Sequence, residues 1–313
     1  MKATELWLSR RRFIATVSVA MASLLLPPWQ LKAAGPAMLR KTIPGTAESL
    51  PVIGLGSSRT FDVDTDAPVI ADFVTLIQEF FALGGELIDS SPMYGSAEQI
   101  IGVLLDQAAV RERLFAATKV WTNGEQAGIL QMERSAQKWG VDRFDLMQIH
   151  NLRDWQTHLK TLKRWKAEGK IRYLGITTSH GRSHRELETL LRQEPFDFVQ
   201  LSYNIEDRSV ENRLLPLAAD RGIAVLVNRP YQRGSLFGAV KGKTLPDWTA
   251  EFDCRSWGQF FLKYIVSHPA VTCVIPATTK RHHLQDNMGA GTGRQPDAAL
   301  RKTMETFFDA AVS

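Results

Sequence analysis

The chain has 313 residues, 44% apolar and 23% charged, which suits one large barrel or two smaller domains with a substantial core. Its formal charge of +5 sits at one end: residues 1–33 hold Lys2, Arg10, Arg11, Arg12 and Lys32 against Glu5, a net of +4, and the remaining 33 basic and 32 acidic side chains leave +1. No basic stripe for nucleic acid is indicated, two cysteines (Cys254 and Cys273) are too few for a disulfide framework, and no His/Cys cluster has the spacing of a metal site.

The first 34 residues read as a segment apart. Ser9-Arg10-Arg11-Arg12-Phe13-Ile14 precedes an apolar run over 15–26 and then small residues around Ala33 and Ala34. That order of charged, apolar and small residues is the order of an export leader, cut between about Ala33 and Ala37. The apolar run falls short of the ~20 residues of a comfortable membrane span, with an uncleaved anchor as the alternative. The arginines before Phe13 resemble a twin-arginine export signal. The resemblance implies the twin-arginine machinery as a partner, a periplasmic or otherwise exported location, and passage across the membrane already folded.

From Leu50 onward, short apolar runs alternate with longer amphipathic ones. The expected strands are 51–55, 86–91, 114–120, 144–149, 171–177, 196–201, 223–228 and 271–276. The expected helices are 69–83, 97–105, 128–139, 155–168, 183–191, 213–221 and 256–267, several stopping at a glycine such as Gly84 or Gly140. Eight strand–helix repeats over ~240 residues are the count and size of a single (β/α)8 TIM barrel spanning 35–313. A doubly wound sheet would open on GxGxxG, whereas Gly54-Leu55-Gly56-Ser57-Ser58-Arg59 lacks the third glycine. The connection 232–257 is long enough to form a lid, its Trp248 and Trp257 either capping the pocket or meeting a partner, and an extra C-terminal helix over 296–311 closes the outside. Phe73, Phe80 and Phe81 are spaced as a packing face, and His180, His184 and His282 read as surface residues. Nothing in the chain assigns an oligomeric state.

Three consecutive expected strands end in an ionisable group: Asp89, Lys119 and His150, with Tyr94 just past the first. In a parallel barrel, strand C-termini converge on the face that carries chemistry. Carbonyl reduction needs a hydride donor and an acid for the oxygen. A Tyr hydroxyl has an ordinary pKa near ~10, which a neighbouring ammonium lowers. An Asp holds that ammonium charged, and a His adds orientation and a hydrogen bond at the developing oxyanion. No Ser nucleophile elbow, HExxH or P-loop competes for the role.

Asp89-x4-Tyr94-Gly95 with Ser96, Ala97 and Glu98, then Lys119-Val120-Trp121 and Gln148-Ile149-His150, resembles the aldo-keto reductase family over about residues 50–287. The resemblance implies a metal-free barrel that reduces an aldehyde or ketone with NADP(H) rather than NAD(H). It implies Tyr94 as acid, Asp89 and Lys119 tuning it, and His150 orienting a small-molecule carbonyl substrate. It further implies cofactor contacts at Gly56, Thr177, Thr178, Gln200, Asn228, Arg229, Thr278, Lys280, Arg281, His283 and Asn287, and a substrate pocket walled by Trp121 and Asn151. The chain also departs from the family pattern. Thr177-Thr178 stands where Ser-Asn is usual, and Asn228-Arg229-Pro230 where an aromatic often stacks on nicotinamide, with Tyr231 the substitute. Ala277 and His283 stand where NADPH-preferring members often carry Lys and Arg, leaving Lys280 and Arg281 to pair with the 2′-phosphate. A nicotinamide-binding sensor or regulatory barrel without turnover is the alternative function.

Overall fold

A computed structural model describes residues 37–312, so the expected leader at 1–34 lies outside the described residues. The chain enters through an antiparallel hairpin, β1 (Arg40–Thr42) and β2 (Ser49–Pro51), turning at Gly45, whose φ of +74° is left-handed. The expected first strand at 51–55 is therefore split. Its first residue, Pro51, pairs with β1, and the rest joins the large sheet through the Ile53↔Val274 bridge and β3 (Leu55–Gly56).

That sheet holds β3, β4 (Leu87–Asp89), β5 (Phe115–Val120), β6 (Phe144–Ile149), β7 (Ile171–Thr177), β8 (Phe198–Ser202), β9 (Ala224–Asn228) and β10 (Cys273–Val274), side by side in chain order. Every neighbouring pair is parallel. Bridges Ile53↔Val274 and Gly56↔Ala277 join the first strand to the last and bring the sheet round into a nearly closed barrel. The last strand is shorter than the expected 271–276, since Pro276 has no N–H to extend the ladder.

Parallel neighbours need crossovers, and helices supply them. They are α1 (Ile70–Ala82), α2 (Ala97–Ala108), α3 (Glu125–Trp139), α4 (Trp155–Ala167), α5 (His184–Gln193), α6 (Leu214–Asp220), α7 (Ser235–Ala239) and α8 (Trp257–Val266). After β10 come α9 (Arg281–Ala290) and α10 (Ala298–Val312). Phe73, Phe80 and Phe81 of α1 are buried in the core between helices and strands, as their spacing implied.

The two-residue period of the strands positions the site. Leu87, Phe115, Ala117, Leu146, Tyr173, Phe198, Ala224 and Leu226 form an inner apolar cluster, joined by Ile43 and Leu50 of the hairpin. Continuing the same inward register toward the strand C-termini reaches Asp89, Lys119, Gln148, Gln200 and Asn228. The barrel is thus filled by hydrocarbon at one end and by hydrogen-bonding groups at the other.

The connection 232–257 is folded rather than loose, carrying α7 and two 3-10 turns. Trp248 and Trp257 do not line the cavity. Their rings lie 6.0 and 6.2 Å from Phe307 of α10, so they fasten the connection to the terminal helix. Cys254 and Cys273 are both buried and free.

Candidate active site

Asp89, Lys119, His150 and Tyr94 meet at the C-terminal end of the barrel. Lys119 is wholly buried and its Nζ donates to Asp89 Oδ2 at 2.6 Å and to the Ser90 carbonyl at 2.7 Å. The other Asp89 oxygen accepts from Gln148 Nε2 and Gln200 Nε2, both at 2.9 Å. Gln200 also donates to Gln148 Oε1 at 3.1 Å, and Asn228 to Gln200 Oε1 at 3.3 Å. Each buried polar group in this layer is satisfied by the next, as a low-dielectric interior requires.

Tyr94 comes from the loop between β4 and α2. Its neighbour Gly95 has φ +63°, and a Cβ there would sit 2.1 Å from Asp62 Oδ1, so only glycine lets Asp62 reach the Ser96 N–H at 2.9 Å. The loop so pinned carries the Tyr94 ring to 5.3 Å from Lys119 Nζ and 5.9 Å from the His150 ring, edge to face. His150 opens a 3-10 turn after β6, with Nδ1 2.9 Å from Ser91 Oγ.

The electrostatics follow from this packing. Burial pulls the Lys119 ammonium down, but Asp89 and the Tyr94 hydroxyl more than offset that, and its pKa is raised. Burial raises the Tyr94 phenol, and this outweighs the opposing pull of Lys119. The expected lowering of Tyr94 is therefore reversed in sign: desolvating a phenolate costs more here than one paired ammonium returns. Burial, and then Lys119, pushes His150 down to about 3, so its ring is neutral at ordinary pH.

A cavity of about 640 Å³ opens over these groups. Of the sequence-predicted residues, Gly56, Asp89, Tyr94, His150, Asn151, Thr177, Thr178, Gln200, Asn228, Arg229, Thr278, His283 and Asn287 line it. Lys119 lies beneath, behind Asp89. Trp121 is not a cavity wall: its ring lies 6.4 Å from His150 and is covered by the Arg153 guanidinium at 4.8 Å. Lys280 and Arg281 are also outside the lining. Arg281 Nε is 2.8 Å from Glu79 Oε2, because α9 packs on α1 and carries that arginine to the carboxylate. His180 is exposed, as expected of a surface residue, and also lines the cavity.

Sequence reasoning missed Arg59, Arg233, Asp286 and Ser91. Asp286 lines the cavity, with its oxygens accepting from Ser256 Oγ at 2.6 Å and Gln259 Nε2 at 3.0 Å; its place beside Asn287 was the available signal. The two arginines sit in loops without periodicity and gave no signal. With Arg229 they line one cavity, and among the described residues none of the three is ion-paired. Burial, then Arg233 and Arg59, lowers the Arg229 pKa, and its Nε is buried without a partner. Thr178 Oγ1 is likewise buried and unpartnered. A cavity of this volume with unpaired guanidinium groups and orphaned polar atoms fits an anionic cofactor with a diphosphate. Among the described residues no cluster of three His, Cys, Asp or Glu could hold a metal.

Residues 52–302 match the family described as the aldo/keto reductase family. The chain is 28% identical over 245 residues to a methylglyoxal reductase of Escherichia coli, covering 76% of this chain and 84% of that one. It is 29% identical over 224 residues to an NADH-specific methylglyoxal reductase of the same organism, covering 61% and 65%. In fold it is similar to an aldo-keto reductase from Klebsiella pneumoniae in complex with NADPH, with a TM-score of 0.71 at 22% identity over 87% of this chain and 96% of that one.

Proposed function

The chain belongs to the aldo/keto reductase family and is an NAD(P)-dependent oxidoreductase, and we propose that it is exported and reduces a small aldehyde or ketone, or oxidises the alcohol, with Tyr94 as general acid. The observation that carries the reading is the sealed Lys119–Asp89 pair at 2.6 Å, set directly behind the Tyr94 ring at the floor of the cavity. Nothing in the packing of a barrel core requires an ammonium there, and burying one is costly even when it is paired, so its presence points to a charge that develops nearby.

When bound, the nicotinamide supplies the hydride. Tyr94 gives its phenolic proton to the carbonyl oxygen as negative charge builds on it. Lys119 then stabilises the phenolate left behind, and Asp89 keeps Lys119 charged and in place. Neutral His150 orients the carbonyl by a hydrogen bond without adding a competing positive charge. The raised pKa of Tyr94 keeps it protonated and able to donate across the physiological range. Methylglyoxal, the substrate named for two relatives, is the first carbonyl to assay.

The cofactor of this reading is NADP(H). Its diphosphate would be held by Arg59, Arg229 and Arg233, and its 2′-phosphate by His283, which lines the cavity, with Lys280 outside the lining at the N-cap of α9, where the helix N-terminus favours an anion. Ser9-Arg10-Arg11-Arg12-Phe13 supports export through the twin-arginine machinery. An exported enzyme meets no free nicotinamide pool, so it carries its dinucleotide folded and recycles it in place by paired oxidation and reduction. Protein recovered from the periplasm, denatured without acid, should release NADP(H) at one per chain by absorbance and mass. An empty protein that also ignores added dinucleotide sinks the reading. A sensor barrel without turnover is the second reading, favoured by Thr178 standing where the family's amide is usual and keeping Oγ1 unpartnered. Stoichiometric nucleotide with no carbonyl reduction would select it.

A further inference from the structure

Ser91 is wholly buried, and its hydroxyl makes two contacts among the described residues. The Met93 backbone N–H donates to Ser91 Oγ at 3.2 Å, and His150 Nδ1 lies 2.9 Å from the same oxygen. The first contact has only one direction, because a backbone N–H cannot accept. The second has two. If Nδ1–H donated to Ser91, the oxygen would accept twice and its own proton would be left in a buried site with no acceptor. If Ser91 donates, every group is satisfied: oxygen accepts from Met93, hydroxyl proton goes to Nδ1, and the imidazole proton sits on the other nitrogen.

We infer that Ser91 sets the tautomer of His150, donating to Nδ1 so that Nε2, the ring nitrogen without a partner among the described residues, carries the proton and faces the cavity as a donor. The ring cannot readily turn to exchange its nitrogens. Tyr94 stands edge-on to it at 5.9 Å and Trp121 tilts against it at 6.4 Å, so the tautomer is held as well as chosen. Ser91 is thus a positioning residue. It does not reach the cavity, and it acts by making His150 an N–H donor at the carbonyl oxygen instead of a lone pair that would repel it. The inference rests on the carbonyl-reduction reading for its purpose, but its physical content, the site of one proton, does not.

The direct test is the nitrogen-15 NMR spectrum of the histidines in the full protein, with His150 assigned by its loss in His150→Gln. The wild type should show Nδ1 unprotonated and Nε2 protonated. A proton on Nδ1 in the wild type overturns the inference with no variant needed. Ser91→Ala should give mixed tautomers and lower kcat for methylglyoxal in proportion to the rings that lose the Nε2 proton, by about two- to fivefold, well short of the ~10²–10³ typical of deleting an oxyanion donor outright. Nucleotide affinity should not move, and Ser91→Thr, which keeps the hydroxyl, should restore both the tautomer and kcat. Ser91→Ala with the wild-type tautomer and wild-type kcat also overturns it. A wild type that turns over no carbonyl defeats the functional reading while leaving the NMR result to decide the tautomer.

Discussion

At the ends of β4 and β5 the charges are sealed, and around α9 they are open. The side chains of Lys119 and Asp89 are 0% and 3% exposed and share one short bond, with two glutamines closing the other carboxylate oxygen. Arg281 is 56% exposed, and its partner Glu79 lies 202 residues earlier in the chain. A buried ion has one arrangement that satisfies it, so changing a partner strands the other. An exposed guanidinium has water as its alternative and trades partners at little cost. The comparison predicts that perturbation at the sealed end is severe and that at the open end is mild and concerns selectivity.

Asp89→Asn should have the largest effect. Whichever way the amide is turned, its NH₂ meets either the Lys119 ammonium or the two glutamine NH₂ groups, so donors face donors. Unfolding by urea should show a loss of roughly 3–5 kcal/mol, the usual cost of stranding a buried charge. A loss under 1 kcal/mol would mean that the layer is not the sealed network described.

The next effect is on pH. His150 takes up its proton near pH 3 in the folded protein, against 6.5 ordinarily. Between those values the unfolded chain binds a proton that the folded one refuses, so acid favours unfolding. The contribution is fully present above pH 6.5 and disappears as pH falls toward 3, at about 1.4 kcal/mol per pH unit. His150→Asn should therefore lose less stability than the wild type on acidification through that window, and parallel curves would contradict it. His268, lowered to about 4 mainly by burial, and carboxylates held down by partners, such as Asp253 beside Arg294, contribute to the slope remaining in both.

Glu79→Ala should have the smallest effect. Freed from its carboxylate, Arg281 becomes available to a 2′-phosphate, and the NADPH-over-NADH affinity ratio should rise by roughly two- to fivefold, in line with the ~0.2–1 kcal/mol of an exposed pair. Fluorescence titration with each nucleotide reads the ratio directly, and no change would remove Arg281 from consideration.

The same contrast explains what the sequence revealed. Asp89, Lys119 and His150 could be named because a polar residue ending an apolar run can point only to the end of the barrel, and the eight-strand alternation sets where that end lies. The split of 51–55 was hidden because hairpin and barrel strand are contiguous and equally apolar. The pairing of Arg281 with Glu79 was hidden because helix–helix packing, not local pattern, brings them together. Arg59 and Arg233 were hidden because they sit on loops whose paths come from tertiary contacts. The sign of the Tyr94 shift required knowing how deeply the ring is buried, which no spacing reports.

The most direct test of the proposed chemistry is single-turnover reduction of methylglyoxal by protein loaded with NADPH, wild type against Tyr94→Phe. With Tyr94 as the acid, the variant should bind nucleotide at the same stoichiometry and reduce substrate about 10²- to 10⁴-fold more slowly, the usual contribution of a positioned general acid. A Tyr94→Phe protein that reduces at the wild-type rate would place the proton source elsewhere and contradict the account.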